Sequence, residues 1–552
     1  MIDNRKALEI GTRLFSHMTK AGPILMSKDW WENQLMELSM KHESFKVKMF
    51  RFVDVFPMLR GSRNIARHFH EYFPDTHGVP AIFRAPVKMA QLGLAPDLVI
   101  GKSADIAIRQ MARGLIAGST AKEAIKVVES LRKQNIGFTL DVLGESTISE
   151  LEADRYCAIY NELIPTMAGL AAKWKPNPQV DGENEYWTPS VNLSIKLTSM
   201  YSGMNPMAPE LCIEALKNRL RPLMKLAMEH NVAIHVDQES YHDKEIITRT
   251  FLSLLDEPEF ADYPYAGIVV QAYLRTAEQH LQYLIDWATS RNHPIYIRLV
   301  KGAYWDYETI TAEQAHRVPP VWTKKWQSDA CFERCAAMLL DNYMFSRPEF
   351  ASHNIRSIAA VLTMAEARNV PRQAYEFQVL YGMGEPVAAA VTTEAYRCRM
   401  YLPFGDLVPG MGYLVRRLLE NTSNDSFLLQ TLDRNRDEKA LLQPPAGEPE
   451  DTWPKMKDGF NNTPEVDWCI PHERENMKTA IADVRSACGL SVPLVINGER
   501  ITTEERKVSL NPSHTSEVAG TVSQADTSHA GEALKAARTA YPSWNSTPFT
   551  DR

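Results

Sequence analysis

Eight short runs rich in β-branched and aromatic residues recur along this chain, most of them separated by stretches with helical spacing. They are IGFTLDV (136–142), VNLSIKL (191–197), VAIHVD (232–237), GIVVQAY (267–273), IYIRLV (295–300), FASHN (350–354), YEFQVL (375–380) and CRMYLP (398–403). Long amphipathic stretches such as 209–230 and 276–291 lie between them. Strands alternating with helices pair in parallel through helical crossovers, because only antiparallel neighbours can be joined by tight turns. Eight such units over roughly 250 residues or somewhat more fit an α/β fold closed into a distorted (βα)8 barrel. A doubly wound open sheet is the alternative.

Such barrels carry their chemistry at the C-terminal ends of the strands. Here those ends hold Asp141 and Glu145, Lys196, Asp237, Gln271, Arg298 and Lys301, His353 and Asn354, Gln378, and Tyr401. A solvated strand end explains any one of these residues. All eight ends together favour a site.

The flanks read differently. Residues 4–73 interleave charges with Leu, Met, Phe and Trp at helical spacing, which predicts a helical arm over 1–80. Helical spacing continues over 97–118 and 121–134, inside a barrel domain placed at 81–435. Residues 436–491, with QPPAGEPEDTWPK and FNNTPEVDW, read as a linker. From 492 to 552 a hairpin-like pair of strands precedes a helix, too short a stretch for a domain.

With 61 basic against 68 acidic residues, the net charge is −7, and no broad cationic field exists to attract nucleic acid. The seven cysteines form no CxxC pair, the N-terminus lacks the apolar run of a signal peptide, and no span is long enough to cross a bilayer. A reducing, cytoplasmic setting is expected.

The stretch GYLVRRLLEN (412–421) places two permanent cations in an apolar helix. Tyr413, Arg416, Arg417 and Glu420 are spaced i, i+3, i+4, i+7 and share one face. Buried guanidinium groups need anions to offset lost hydration. Glu420 neutralises one; a carboxylate ligand, a phosphate or an internal carboxylate such as Glu145 would meet the other, unless the pair lies on the surface.

A strand-end lysine, Lys196 or Lys301, also suits a Schiff-base aldolase. His235 and Asp237 share a strand face without a metal-binding spacing, and no metal is expected. LYGMGEP (380–386) holds only a lone GxG, so no Rossmann turn is expected.

Taken together, DVLGE (141–145), LSIKLTSMY (193–201), HVDQES (235–240), VQAY (270–273), IRLVKGAYWD (297–306), SHN (352–354), YEFQVLYGMGEP (375–386) and YLPFG…GYLVRRLLEN…SFL (401–428) closely resemble the proline dehydrogenase part of the bifunctional bacterial proline utilization A family. The words occur in the family's order. The resemblance implies a distorted barrel that binds FAD non-covalently. It implies oxidation of L-proline to 1-pyrroline-5-carboxylate by hydride transfer to flavin N5, with a membrane quinone as electron acceptor and peripheral contact at the inner face of the cytoplasmic membrane.

Carried over by motif, Lys196, Arg416 and Arg417 would hold the proline carboxylate, while Leu380, Tyr401 and Tyr413 would wall the ring. Glu145 would pair with Arg416 as a gate, and Asp237 would support the ion network beside substrate and cofactor. Gln271, Arg298, Val300, Lys301, Gly302, Ala303, Tyr304 and Trp305 would contact the flavin. Thr323, Lys324, His353, Asn354 and Glu420 would contact the pyrophosphate, ribose or adenine, although WTKKW (322–326) departs from the family's words.

No ribbon-helix-helix module is recognisable at the N-terminus. The stretch from Val492 resembles the opening of an aldehyde dehydrogenase, the second enzyme of the family. Aldehyde dehydrogenase activity is expected to be absent from these 552 residues. A flavin-binding scaffold without turnover is the remaining alternative.

Overall fold

The computed structural model describes residues 2–20, 43–74, 97–144, 146–406, 437–448, 460 and 462–552. They divide into two compact units, Met1–Glu465 and Val466–Arg552.

In the first unit, eight parallel strands close into a barrel in sequence order. They are β1 (Gly137–Val142), β2 (Asn192–Ile195), β3 (Ala233–Val236), β4 (Ala266–Gln271), β5 (Tyr296–Val300), β6 (Pro348–Ala351), β7 (Glu376–Leu380) and β8 (Cys398–Phe404). The open-sheet alternative falls, because β1 pairs with β8 over six consecutive positions from Gly137↔Arg399 to Val142↔Phe404.

Successive side chains on a strand point to opposite faces, and here the two faces differ in chemistry. Phe138, Leu140, Leu193, Ile234, Ile268, Ile297, Phe350, Phe377 and Met400 join one apolar cluster with the surrounding helices. Their alternates carry Thr139, Asp141, Asn192, Ser194, His235, Arg298, Glu349, Glu376, Gln378, Arg399 and Tyr401. Bonds across the barrel, such as His235 on β3 to Glu349 on β6 at 2.9 Å, place this second set inside. Burying each large outer side chain contributes about 1.5–3 kcal/mol, so the outer layer holds the strands while a polar interior is left for other work.

The helix Asn4–Lys20 packs on the barrel. Its Ala7, Ile10, Leu14 and Phe15 belong to the same apolar cluster, and Arg13 (2.7 Å) and His17 (3.0 Å) both meet Glu394. The helices Glu43–Val55, Ser62–Tyr72 and Asp97–Leu115 contribute to a second cluster, in which Phe52, Ile65, Phe73 and Leu115 pack with Leu143 after β1 and Met383 after β7. These described helices, the last ending at Leu115, pack against residues just after β1 and β7, and Asp97–Leu115 falls where the sequence reads helical spacing over 97–118.

The expected linker 436–491 is not irregular throughout. Leu442 is buried against Gly11, and Pro471–Ser486 forms a 16-residue helix, opened by a proline at its first turn and filled with good helix formers. The second unit contains more than a hairpin and a helix. The antiparallel pair β10 (Leu494–Ile496) and β11 (Glu499–Ile501) turns through Asn497 and Gly498, both at positive φ, the turn chemistry that matches strand twist. A separate three-stranded sheet joins β9 (Leu490–Val492), β12 (Arg506–Asn511) and β13 (His514–Ser523), followed by the helix Thr527–Ser546.

Candidate active site

Five of the strand-end residues, Asp141, Lys196, Asp237, Arg298 and Tyr401, meet inside the upper barrel. Tyr401 donates to Asp237 Oδ2 at 2.7 Å, Ser194 to Asp237 Oδ1 at 2.8 Å, and Arg298 Nη1 to the same Oδ1 at 2.9 Å. Lys196 Nζ lies 3.4 Å from both Asp237 Oδ2 and the Tyr401 hydroxyl, and it pairs most closely with Asp141. The Arg298 guanidinium sits over the Tyr401 ring, 5.4 Å from its centroid. Arg298 is 2% exposed and Lys196 7%.

Charges so buried persist only when paired, and the pairing sets their proton affinities. Burial disfavours the Lys196 ammonium, yet Asp141, Tyr401 and Asp237 hold its pKa well above the ordinary value. The free amine that a Schiff-base nucleophile requires is therefore suppressed. Burial would push the Asp237 carboxyl up, but Lys196 and Arg298 bring it below its usual range. Burial, then Asp141 and Asp237, raise the Tyr401 hydroxyl well above its usual range, so it stays a donor.

A second group continues around the rim. Gln271, at the end of β4, donates from Nε2 to the backbone oxygens of Gln238 (3.2 Å) and Glu239 (2.8 Å). Tyr304 donates to Glu239 at 3.2 Å. After Val300 the chain turns through Lys301, Gly302 and Ala303, with Gly302 at φ +124°. A Cβ there would lie 2.5 Å from the Tyr273 ring, so only glycine fits. Trp305 opens the helix Trp305–Gln314 and donates to the Trp322 carbonyl at 2.7 Å.

Lys301 pairs with Asp329, which also takes Lys325 at 2.8 Å. Burial lowers the Lys301 pKa against the pull of Asp329. Thr323 and Lys324 stand at the start of the 17-residue helix Lys325–Asp341, whose N-terminal dipole favours anions. His353 Nε2 accepts from the Leu380 amide at 2.9 Å. Asn354 caps the helix Ile355–Ala367, accepting from Arg356 N at 2.9 Å and Ser357 N at 3.3 Å. Glu145, Tyr413, Arg416, Arg417 and Glu420 lie outside the described residues.

Three donors or acceptors that a bound group would use have no hydrogen-bond partner among the described residues: Arg298 Nη2, Gln271 Oε1 and Asp141 Oδ2. With the glycine-only turn at Gly302, they fit a planar polar cofactor lying along the strand ends.

The family model for proline dehydrogenase matches residues 124–430, more than half of the chain. The chain belongs to the proline dehydrogenase family. The model for the proline utilization A N-terminal domain matches residues 4–114, whose described parts include the helices Asn4–Lys20, Glu43–Val55 and Ser62–Tyr72. Bifunctional protein PutA of Escherichia coli is 29% identical over 502 residues, 87% of this chain and 37% of that relative. Proline dehydrogenase 1 of Bacillus subtilis is 27% identical over 319 residues, 58% of this chain and 89% of the relative. A crystal structure of proline utilization A from Bdellovibrio bacteriovorus inactivated by N-propargylglycine matches with a TM-score of 0.87 at 40% identity, covering 99% of this chain and 55% of that one. The chain thus spans just over a third of the E. coli relative and about half of the Bdellovibrio one.

The sequence reading named Asp141 as a strand-end residue but gave it no role, and it left Ser194, Glu239, Asp329 and Glu349 out, yet all of them bond the residues described above. A signal for the strand residues was present. Along β1 to β3 and the residues just after β2 and β3, polar residues recur at every second position (Thr139, Asp141; Asn192, Ser194, Lys196; His235, Asp237) where a barrel buried on both faces favours apolar runs.

Proposed function

We propose that this chain oxidises L-proline to 1-pyrroline-5-carboxylate with FAD as the immediate electron acceptor, the first step of proline breakdown. The observation that carries the reading is the buried Lys196–Asp237–Arg298–Tyr401 cluster at the strand ends, with donors left over, in a chain of the proline dehydrogenase family.

Bound FAD would supply the hydride acceptor, N5, and would lie against Gln271, Arg298, Val300, Lys301, Gly302, Ala303, Tyr304 and Trp305. Thr323, Lys324, His353, Asn354 and Glu420 would hold its far end. At the strand ends two cations (Lys196, Arg298) already meet two carboxylates (Asp141, Asp237), and Glu349 lies 3.6 Å from Arg298 below them, so no described cation is in excess there. An added substrate carboxylate therefore needs further positive charge, which Arg416 and Arg417 would provide by bidentate bonds. Leu380, Tyr401 and Tyr413 would confine the ring and aim its nitrogen-bearing carbon, which supplies most of the acceleration as orientation. Arg298 and Lys301 would stabilise the negative charge gained by the cofactor. Glu145 would close on Arg416.

Electrons would pass to a quinone by peripheral contact at a membrane; no described helix is long and apolar enough to cross one. The stretch from Val492 supports a linked aldehyde dehydrogenase domain in the full-length protein, which would consume the product. Purified protein should be yellow, and L-proline should bleach the flavin band anaerobically. A colourless protein that takes up no FAD would sink the reading.

A further inference from the structure

Beneath Arg298 lies a buried pair with no part in the scheme above. His235 Nε2 is 2.9 Å from Glu349 Oε1, and Glu349 Oε2 is 3.6 Å from Arg298 Nε. His235 is fully buried and Glu349 is 1% exposed. Register sets Glu349 beside Arg298, through the pairing Arg298↔Glu349 of β5 and β6, while His235 reaches across from β3. The arrangement is built, because Gly267 on β4 leaves room for the imidazole. A Cβ at Gly267 would lie 2.4 Å from His235 Cδ2 and 2.6 Å from Nε2.

As a carboxylate, Glu349 accepts this bond from the Nε2–H tautomer of His235. That bond holds Glu349 with its other oxygen toward Arg298, which Asp237 and Ser194 engage only through Nη1. The Arg298 cation is thus flanked by two carboxylates, one at the site and one below it.

We propose that Glu349, oriented by His235, is a positioning residue that restrains the positive potential Arg298 presents to the bound flavin and so sets the flavin's reduction potential. The proposal rests on the proline dehydrogenase reading. A negative charge behind Arg298 opposes charge gained on reduction, and in a low-dielectric interior that opposition is weakly screened.

The test is the midpoint potential of FAD-loaded wild type, Glu349→Gln and Glu349→Asp, with FAD affinity measured on each apoprotein. Glu349→Gln keeps an acceptor for His235 but removes the charge. Its potential should shift positive, while FAD affinity stays within about twofold and the KM for proline moves less than kcat. Glu349→Asp, which keeps the charge but withdraws it, should fall between, and it carries the test if the glutamine variant does not fold.

An unchanged or more negative potential in a folded, FAD-loaded variant overturns the proposal and leaves the pair as packing. Failure of the wild type to take up FAD overturns the parent reading instead.

Discussion

Two buried arginines of the described barrel interior, Arg399 and Arg298, are paired with carboxylates to different degrees. In the lower interior, Arg399 donates to both oxygens of Glu376, from Nε at 2.7 Å and Nη2 at 3.1 Å, and its Nη1 reaches the Phe138 carbonyl at 2.8 Å. Every nitrogen of that guanidinium is used. In the upper interior, Arg298 spends Nη1 on Asp237 and Ser194, while Nη2 has no hydrogen-bond partner among the described residues. Arginine–carboxylate pairing on different strands of one barrel, β8 with β7 below and β5 with the end of β3 above, thus serves two ends: a closed pair belongs to the fold, and an open one keeps donors for a ligand.

If that division holds, the largest effect on stability comes from breaking the closed pair. Removing one partner of a buried ion pair costs about 3–5 kcal/mol because the other is left uncompensated. Glu376→Gln should lower stability by that order in urea unfolding, while the folded fraction keeps its proline affinity. The pair also makes a pH prediction. Burial would raise the Glu376 carboxyl, but Arg399 and Arg397 bring it from its ordinary 4.5 to about 2. A carboxylate depressed on folding stabilises above its unfolded pKa and loses that contribution as pH falls through the folded one. The window is therefore pH 4.5 down to about 2, and the contribution lost across it is about 3 kcal/mol. Acid unfolding of Glu376→Gln should be flatter there than that of the wild type. Equal slopes would show that Glu376 is not the group being protonated.

How much of this was legible in the sequence follows from the same contrast. All eight strands were readable because their outer residues, such as Ile234, Ile268 and Ile297, are β-branched and the helices between them are amphipathic. Lys196, Asp141, Asp237, Arg298 and Tyr401, which the structure brings together, were readable as strand-end polar residues. Partners elsewhere on the strands were not. Contacts such as His235 to Glu349 or Arg298 to Ser194 join strands that are not neighbours, 114 and 104 residues apart, and only barrel closure and register bring them together.

The next effect in size tests the open end from the substrate side. Arg416→Met and Arg417→Met should each weaken proline binding by about 1.5–3 kcal/mol, one charge-assisted bond apiece, and leave FAD affinity nearly unchanged. Parallel titrations with proline and with FAD separate the two. Unchanged proline affinity in both variants would place the arginine pair on the surface and leave the Lys196 cluster without its added cations.

The smallest effect is expected where the open end is redundant. Tyr401→Phe removes the hydroxyl that donates to Asp237 at 2.7 Å but keeps the ring beneath the Arg298 guanidinium. Asp237 retains Ser194, Arg298 and Lys196 as donors, so the carboxylate stays satisfied; what is lost is the 2.7 Å bond, about 0.5–1.5 kcal/mol, and a long 3.4 Å contact from Lys196, which keeps Asp141. kcat/KM for proline should fall about 2–10-fold with little change in melting temperature. A loss beyond about a hundredfold, at unchanged FAD affinity, would mean that the Tyr401 hydroxyl meets the substrate itself. Asp237 would then be held by the fold as Glu376 is, and the line between closed and open pairs would run through Arg298 alone.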